Sequence, residues 1–236
     1  VLLRWEGEVE MDKATVLVKK PYDVRAQLRE LGLTPEILED AVLAWDSAAA
    51  SATPFEPVTA SGSKGWFAGI GTLREILVGR HGWKALDMKC WPIVMAPHGK
   101  HAISMTSGDA MTGRIGLQSP RTKNPKGFVV QAAIHRNGVQ LDFGEAITRE
   151  EQLSRVRSIR VEWFSCLSYL LLVHRGSMAV QSELSLPYEI SAGKVVGWDK
   201  RIILADIPRH PTPLRLERDD DDEEEDGTID VPVVRR

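Results

Sequence analysis

The chain has 236 residues, 43% of them hydrophobic, enough for a substantial core, and its two cysteines, Cys90 and Cys166, exclude both a disulfide framework and a thiolate-only zinc site. Its net charge of -3 conceals a division, because residues 217–226 hold nine acidic side chains and one arginine, a local -8 that leaves +5 on the rest. The longest uncharged apolar run, residues 164–173, is half the roughly 20 residues a membrane-crossing helix needs, and Val1, Leu2, Leu3, Arg4, Trp5 and Glu6 do not open a secretion signal. These features predict a cytoplasmic protein with no membrane partner and both cysteines as small buried hydrophobes.

The first firm element follows Pro21, where Val24, Leu28 and Leu31 recur at helical spacing until Gly32. Thr34, Pro35 and Glu36 then supply an N-cap, a proline at the first helical position and a carboxylate at the positive helix end, opening a helix through Ile37, Leu38, Val42 and Trp45. Residues 47–63, rich in Ala, Ser, Thr and Pro, read as a helix end running into an exposed loop. From Gly65, the spacing of Trp66, Ile70, Leu73 and Leu77 restores a helix that stops near His81 and Gly82. Gly69 and Gly71 do not make a dinucleotide fingerprint, since Arg74 stands where the third glycine belongs and no strand precedes them.

Residues 92–96 and 101–107 are β-prone runs separated by Pro97, His98, Gly99 and Lys100, the composition of a hairpin connection. Residues 108–127 form a long loop punctuated by glycine and proline, and such loops in compact domains are more often functional than incidental. A helix is expected next, with Asn124 as N-cap, Pro125 at its first position and Asn137-Gly138 as its stop. Beyond Val161 the pattern turns to β: 161–173, a turn at 175–177, 178–186, then 195–196 and 202–204. These predict an antiparallel meander whose first strand, apolar on both faces, lies centrally with cover on each side. After Ile207 the prolines 208, 211 and 213 read as a stiff linker, and the acidic run beyond cannot bury enough apolar surface to fold alone. The expected architecture is α+β, with N-terminal helices packed on a mainly antiparallel sheet and a disordered acidic C-terminal tail. Residues 1–207 form the single domain, and 208–236 form linker and tail.

Several phrases recur as a set: Ala102-Ile103 leading into Thr106-Ser107-Gly108-Asp109 and Thr112-Gly113, then Pro120-Arg121-Thr122-Lys123-Asn124-Pro125-Lys126-Gly127. Glu183-Leu184-Ser185-Leu186-Pro187, Trp198 with Arg201-Ile202-Ile203-Leu204, and an acidic tail closing on Ile229-Asp230-Val231-Pro232 and Arg235-Arg236 join them. Together they resemble an uncharacterised family of bacterial proteins associated with plasmids, prophages and other mobile elements. The resemblance implies a mobile-element setting and carries no assigned activity.

Motifs for familiar chemistries are missing. There is no His-Glu-x-x-His, and His98, His101 and Asp109 are the nearest approach to a ligand set. Gly99-Lys100 and Gly193-Lys194 lack the hydroxyl residue of a phosphate-binding P-loop, and Gly62-Ser63-Lys64-Gly65 is one residue short of a nucleophile elbow. Dispersed carboxylates at Glu75, Asp87, Asp109 and Glu183 keep a metal-dependent nuclease or phosphodiesterase open as an alternative, and Asp142 with Glu145 could pair as acid and base, although carboxylates three residues apart are more often an ordinary turn or helix cap. The seven tryptophans, His135 and His174 read as packing residues.

The stronger signal is that residues 110–141 contain no acidic side chain while holding Arg114, Arg121, Lys123, Lys126 and Arg136. Four of these lie just before the expected helix start, where Asn124, Lys126 and Gly127 would add free backbone amides to the positive helix end, a setting for phosphate or carboxylate. Arg114, Arg121, Lys123, Asn124, Lys126 and Gly127 are therefore the candidate anion- or nucleic-acid-binding residues. No catalytic residue, metal or cofactor is assigned. The expectation is a non-enzymatic accessory protein that binds nucleic acid or another polyanion through this loop, with an acidic regulatory tail. A second alternative is an adaptor that recruits a basic protein partner through that tail.

Overall fold

The computed structural model describes residues 14–116, 118–142 and 166–209. In chain order the elements are β1 (Val16–Val18), α1 (Pro21–Glu30), α2 (Pro35–Ala50), α3 (Ala60–His81), β2 (Lys84–Met88), β3 (Trp91–Met95), β4 (His101–Ser107), α4 (Phe128–Asp142), β5 (Leu167–Arg175), β6 (Ala179–Ser191), β7 (Lys194–Ile203) and β8 (Ile207–Pro208). The strands form one sheet in the order β1-β7-β6-β5-β4-β3-β2, with β8 pairing with β6 beyond the end of β7. Most neighbours are antiparallel, including the β5-β6-β7 meander, but β1 runs parallel to β7 and β4 parallel to β5. The fold is the expected α+β class, and among the described residues no helix is long and apolar enough to cross a membrane.

The N-terminal helices start where their proline signals place them. Thr34 adopts an extended conformation (φ -128°, ψ 158°) before Pro35, but its hydroxyl does not cap the backbone. It hydrogen-bonds the Glu36 side chain instead, the largest of the effects that hold that carboxyl below its ordinary range. Helices α2 and α3 pack closely because α3 presents glycines to Trp45. A Cβ on Gly65 would lie 2.8 Å from that indole and one on Gly69 3.0 Å from it. Helix α3 begins at Ala60, five residues before the expected Gly65, so the exposed connection is shorter than composition suggested. The small residues there are helix-compatible even though they carry no apolar period.

Apolar side chains divide between the two faces of the sheet. On one face Val94, Ile103, Met105, Leu171, Leu184 and Ile202 pack against Leu28, Leu38, Val42, Leu73 and Leu77 of α1–α3. On the other, Ile93, Ala102, Leu170, Leu172 and Trp198 pack against Val129, Val130, Ala133 and Ile134 of α4. Strand β5 is thus covered on both sides, as its continuous apolar run demands.

Helix α4 departs from expectation at both ends. It begins at Phe128 rather than beside Asn124, because the preceding segment is held by the tip of the β6–β7 hairpin: the Lys126 N–H donates to the Gly193 carbonyl at 2.7 Å. It also continues through Asn137-Gly138 to Asp142. Asn137 is fully buried, donates to the Ser168 and Pro187 carbonyls at 2.9 and 2.8 Å, and accepts from the Ser168 N–H at 2.9 Å. A side chain at Gly138 would press on the Tyr188 carbonyl, 3.0 Å from the position of its Cβ. The pair that spells a helix stop in sequence is a docking seam for β5 and β6.

Four further expectations are corrected. Strand β2, an edge strand whose only alternating apolar residues are the partly buried Leu86 and Met88, was not among the expected elements. Cys90 is exposed, because Lys89 and Cys90 form the tight β2–β3 turn with φ of 46° and 68°; Cys166 is buried as expected. Strand β7 is continuous across 197–200. Pro208 lies in β8 and Arg209 donates to the Met178 carbonyl, so the first residues of the expected linker belong to the fold. The segment 161–165, Glu145 and the acidic run 217–226 lie outside the described residues.

Candidate functional site

Strands β4 and β5 run parallel from His101↔Leu167 to Ser107↔Val173, and α4 returns antiparallel to both between them in sequence. Its direction is fixed by contacts at its two ends: Lys126 Nζ meets Thr106 Oγ1 near the end of β4, and Asn137 meets Ser168 at the start of β5. The carboxyl ends of two parallel strands and the amino end of the helix that joins them therefore come together. That is where open α/β arrangements bind ligands, because free helix amides and the helix dipole point there. The first helical hydrogen bond runs from Gln131 N–H to the Gly127 carbonyl, leaving the amides of Phe128, Val129 and Val130 without helical acceptors.

The loop that crosses this end is pinned along its length. Asp109 accepts from the Met111 and Arg121 amides, both at 3.0 Å, while Gly108 and Thr122 form an antiparallel bridge. The Thr122 hydroxyl accepts from the Val195 N–H at 3.1 Å, and the buried Trp198 indole donates to the Pro120 carbonyl at 2.7 Å. Beneath it lies a buried ion pair in which Arg201 donates to Glu183 through Nη2 at 2.6 Å and Nε at 3.0 Å, with side chains 3% and 0% exposed. Glu183 also accepts from the Gly113 N–H, and Arg201 donates to the Arg114 carbonyl. The charge pair thus ties the loop backbone on either side of the Gly113–Arg114 peptide to β6 and β7.

On this frame Arg114, Arg121, Lys123, Asn124 and Gly127 are exposed, and Lys126 is half-buried. Among the described residues none of the four cations makes an ion pair, and both oxygens of the loop's own carboxylate, Asp109, are engaged by backbone amides. Lys126 turns inward, its ammonium 2.6 Å from the Thr106 hydroxyl, and burial lowers its pKa from 10.5 to about 8. His174, near the end of β5, joins the group. Burial lowers its pKa first, a hydrogen bond to the Gly108 backbone opposes that, and the nearby charges of Arg114 and Lys123 lower it further against Asp109. Sequence reasoning named the loop cations but set His174 aside as packing; only the β4–β5 register, which is not local, brings it to Gly108. Asn124 does not cap α4.

No protein-family model matches the chain, nor does any curated protein or solved structure. The site's chemistry therefore stands on its own residues.

The other candidates are dispersed. Among the described residues no three His, Cys, Asp or Glu side chains gather as a metal site would require. Asp87 is paired with Arg74 at 2.9 Å, Glu183 is locked to Arg201, and Glu75 is exposed on α3. His101 is buried with Nε2 3.0 Å from the Leu31 carbonyl, its pKa pushed down to about 4 by burial, and Asp109 lies beyond the opposite end of β4. A cleft of about 280 Å³ beside Thr15, Ser119, Tyr188, Glu189 and Gly197 carries a carboxylate and no basic side chain, so it does not suit an anion.

Proposed function

We propose that the protein is a non-enzymatic accessory factor that binds nucleic acid, or a polyanion with similarly spaced charges, through the 114–127 loop and the amino end of α4. The observation that carries this reading is that Arg114, Arg121, Lys123 and Lys126 lie on the one loop leading into α4, whose first-turn amides lack helical acceptors, and that none of the four has an ion-pair partner among the described residues. A cation buried against only a hydroxyl, as Lys126 is, sits at a cost that an incoming phosphate relieves. The exposed cations lie on a pinned backbone, so little ordering entropy is lost when they engage a ligand. Phe128, 66% exposed at the first turn of α4, is the one aromatic side chain of the segment and gives limited capacity for base stacking. Contacts are therefore expected mainly with phosphates, with weak sequence preference. The motif set that resembles mobile-element proteins fits such a role.

The test is a titration of fluorescently labelled duplex DNA and single-stranded RNA with the full chain and with the variant R114A/R121A/K123A. All three side chains are exposed, so the variant should fold with unchanged thermal stability and lose at least about tenfold in affinity, since each phosphate contact contributes separately. Equal binding by both proteins contradicts the proposal.

A further inference from the structure

We infer that the basic face at the carboxyl ends of β4 and β5 is the docking site for the acidic 217–226 segment of the same chain. The inference rests on the reading of that face as a polyanion site and adds its resident occupant.

Where the chain leaves the described fold is the first support. Strand β8 pairs with Ala179 and Val180 at the start of β6, and Arg209 then donates its N–H to the Met178 carbonyl at 2.9 Å and its guanidinium to the Gly176 carbonyl at 2.8 Å. Gly176 directly follows Arg175, the last residue of β5, and His174, one residue earlier, bonds the Gly108 backbone within the fields of Arg114 and Lys123. The chain is thus delivered to the end of the sheet where the cations stand. Reach is the second support. Glu217 lies eight residues beyond Arg209, a span of up to about 27 Å, whereas β6 to β4 is two strand spacings, or about 10 Å. Charge is the third, since nine carboxylates over ten residues complement a loop free of acids from 110 to 127. A tether this short gives an effective concentration in the millimolar range, so even weak charge pairing keeps the face occupied. An external polyanion must then displace the segment, which makes density of negative charge the criterion for entry.

Zero-length crosslinking with a water-soluble carbodiimide on the full-length chain, read by peptide mass spectrometry, tests this. The expected links join residues 217–226 to Lys123 in preference to Lys84, which is also exposed, near the opposite end of the sheet. They occur within monomers and are lost in high salt. Links spread over all exposed lysines, links only between copies, or no links would each overturn it. A second variant with residues 219–226 changed to Asn and Gln should bind labelled DNA about tenfold more tightly at low salt. Preferential Lys123 links without DNA binding by either form would keep the docking and remove the nucleic-acid reading. DNA binding without links, unchanged by neutralisation, would do the reverse.

Discussion

Lys126 carries its ammonium into the protein with only the Thr106 hydroxyl to meet it, and that placement has a thermodynamic signature. Its folded pKa of about 8 lies below the ordinary 10.5, so below about pH 8 both folded and unfolded chains hold the proton and the folded state bears the full cost of burying charge. Between the two values the folded form sheds the proton first, and stability rises with pH. Lys126→Met should therefore raise stability near pH 7 by about 2 kcal/mol and remove most of that rise, as urea denaturation near pH 7 and pH 10 would show. An unchanged pH profile would place the ammonium in water. Because a bound phosphate favours the charged form, anion affinity should also fall as pH rises through about 8. Asn137 makes the complementary case, a polar side chain whose three buried hydrogen bonds join α4 to β5 and β6. Asn137→Leu leaves the Ser168 amide and two carbonyls without that partner and should cost at least about 2 kcal/mol in chemical denaturation. Neither burial was legible in the sequence, where Lys126 looked like a surface cation and Asn137 like a helix stop.

The elements were most legible where signals were local. Pro21, Thr34-Pro35 and Gly32 marked the ends of α1 and the start of α2, and the run apolar on both faces within the expected strand 161–173 marked β5, observed at 167–175, because local composition and burial agree there. They failed where a distant element decided. The β6–β7 hairpin claims the backbone of Lys126 and delays α4, and Tyr188 requires the glycine at 138 that reads as a terminator. Strand β2 is held by pairing with β3 and offers only Leu86 and Met88 as a period of its own. The candidate loop was found in sequence by composition, but its staples, Asp109, Thr122, Glu183 and Arg201, were not, since their partners lie up to 87 residues away. Glycines in α3 separate local from tertiary roles within one helix. Gly65→Ala should destabilise by about 1–3 kcal/mol by pressing on Trp45, whereas Gly71→Ala, with open space around it, should stabilise by about 0.5–1 kcal/mol. Thermal melts of the two variants check both signs, and equal shifts would contradict the packed seam.

At the scale of the molecule, helices cover both faces of one sheet, and where the carboxyl ends of the parallel β4–β5 pair meet the amino end of α4 stands a loop whose cations have no ion-pair partner among the described residues. The buried Glu183–Arg201 pair fixes the loop that carries those cations, so their spacing is set before any ligand arrives. Three exposed cations on a fixed frame make a quantitative claim about counterion release. The most direct measurement is the affinity for duplex DNA across a salt series of the full-length chain with residues 219–226 changed to Asn and Gln, so that the tail does not compete, compared with the same chain carrying R114A/R121A/K123A. The account predicts that the plot of log affinity against log salt for the chain with its three cations is steeper than for the chain without them by a slope of about 3, with the affinity difference vanishing at high salt. Parallel plots of equal affinity would contradict it.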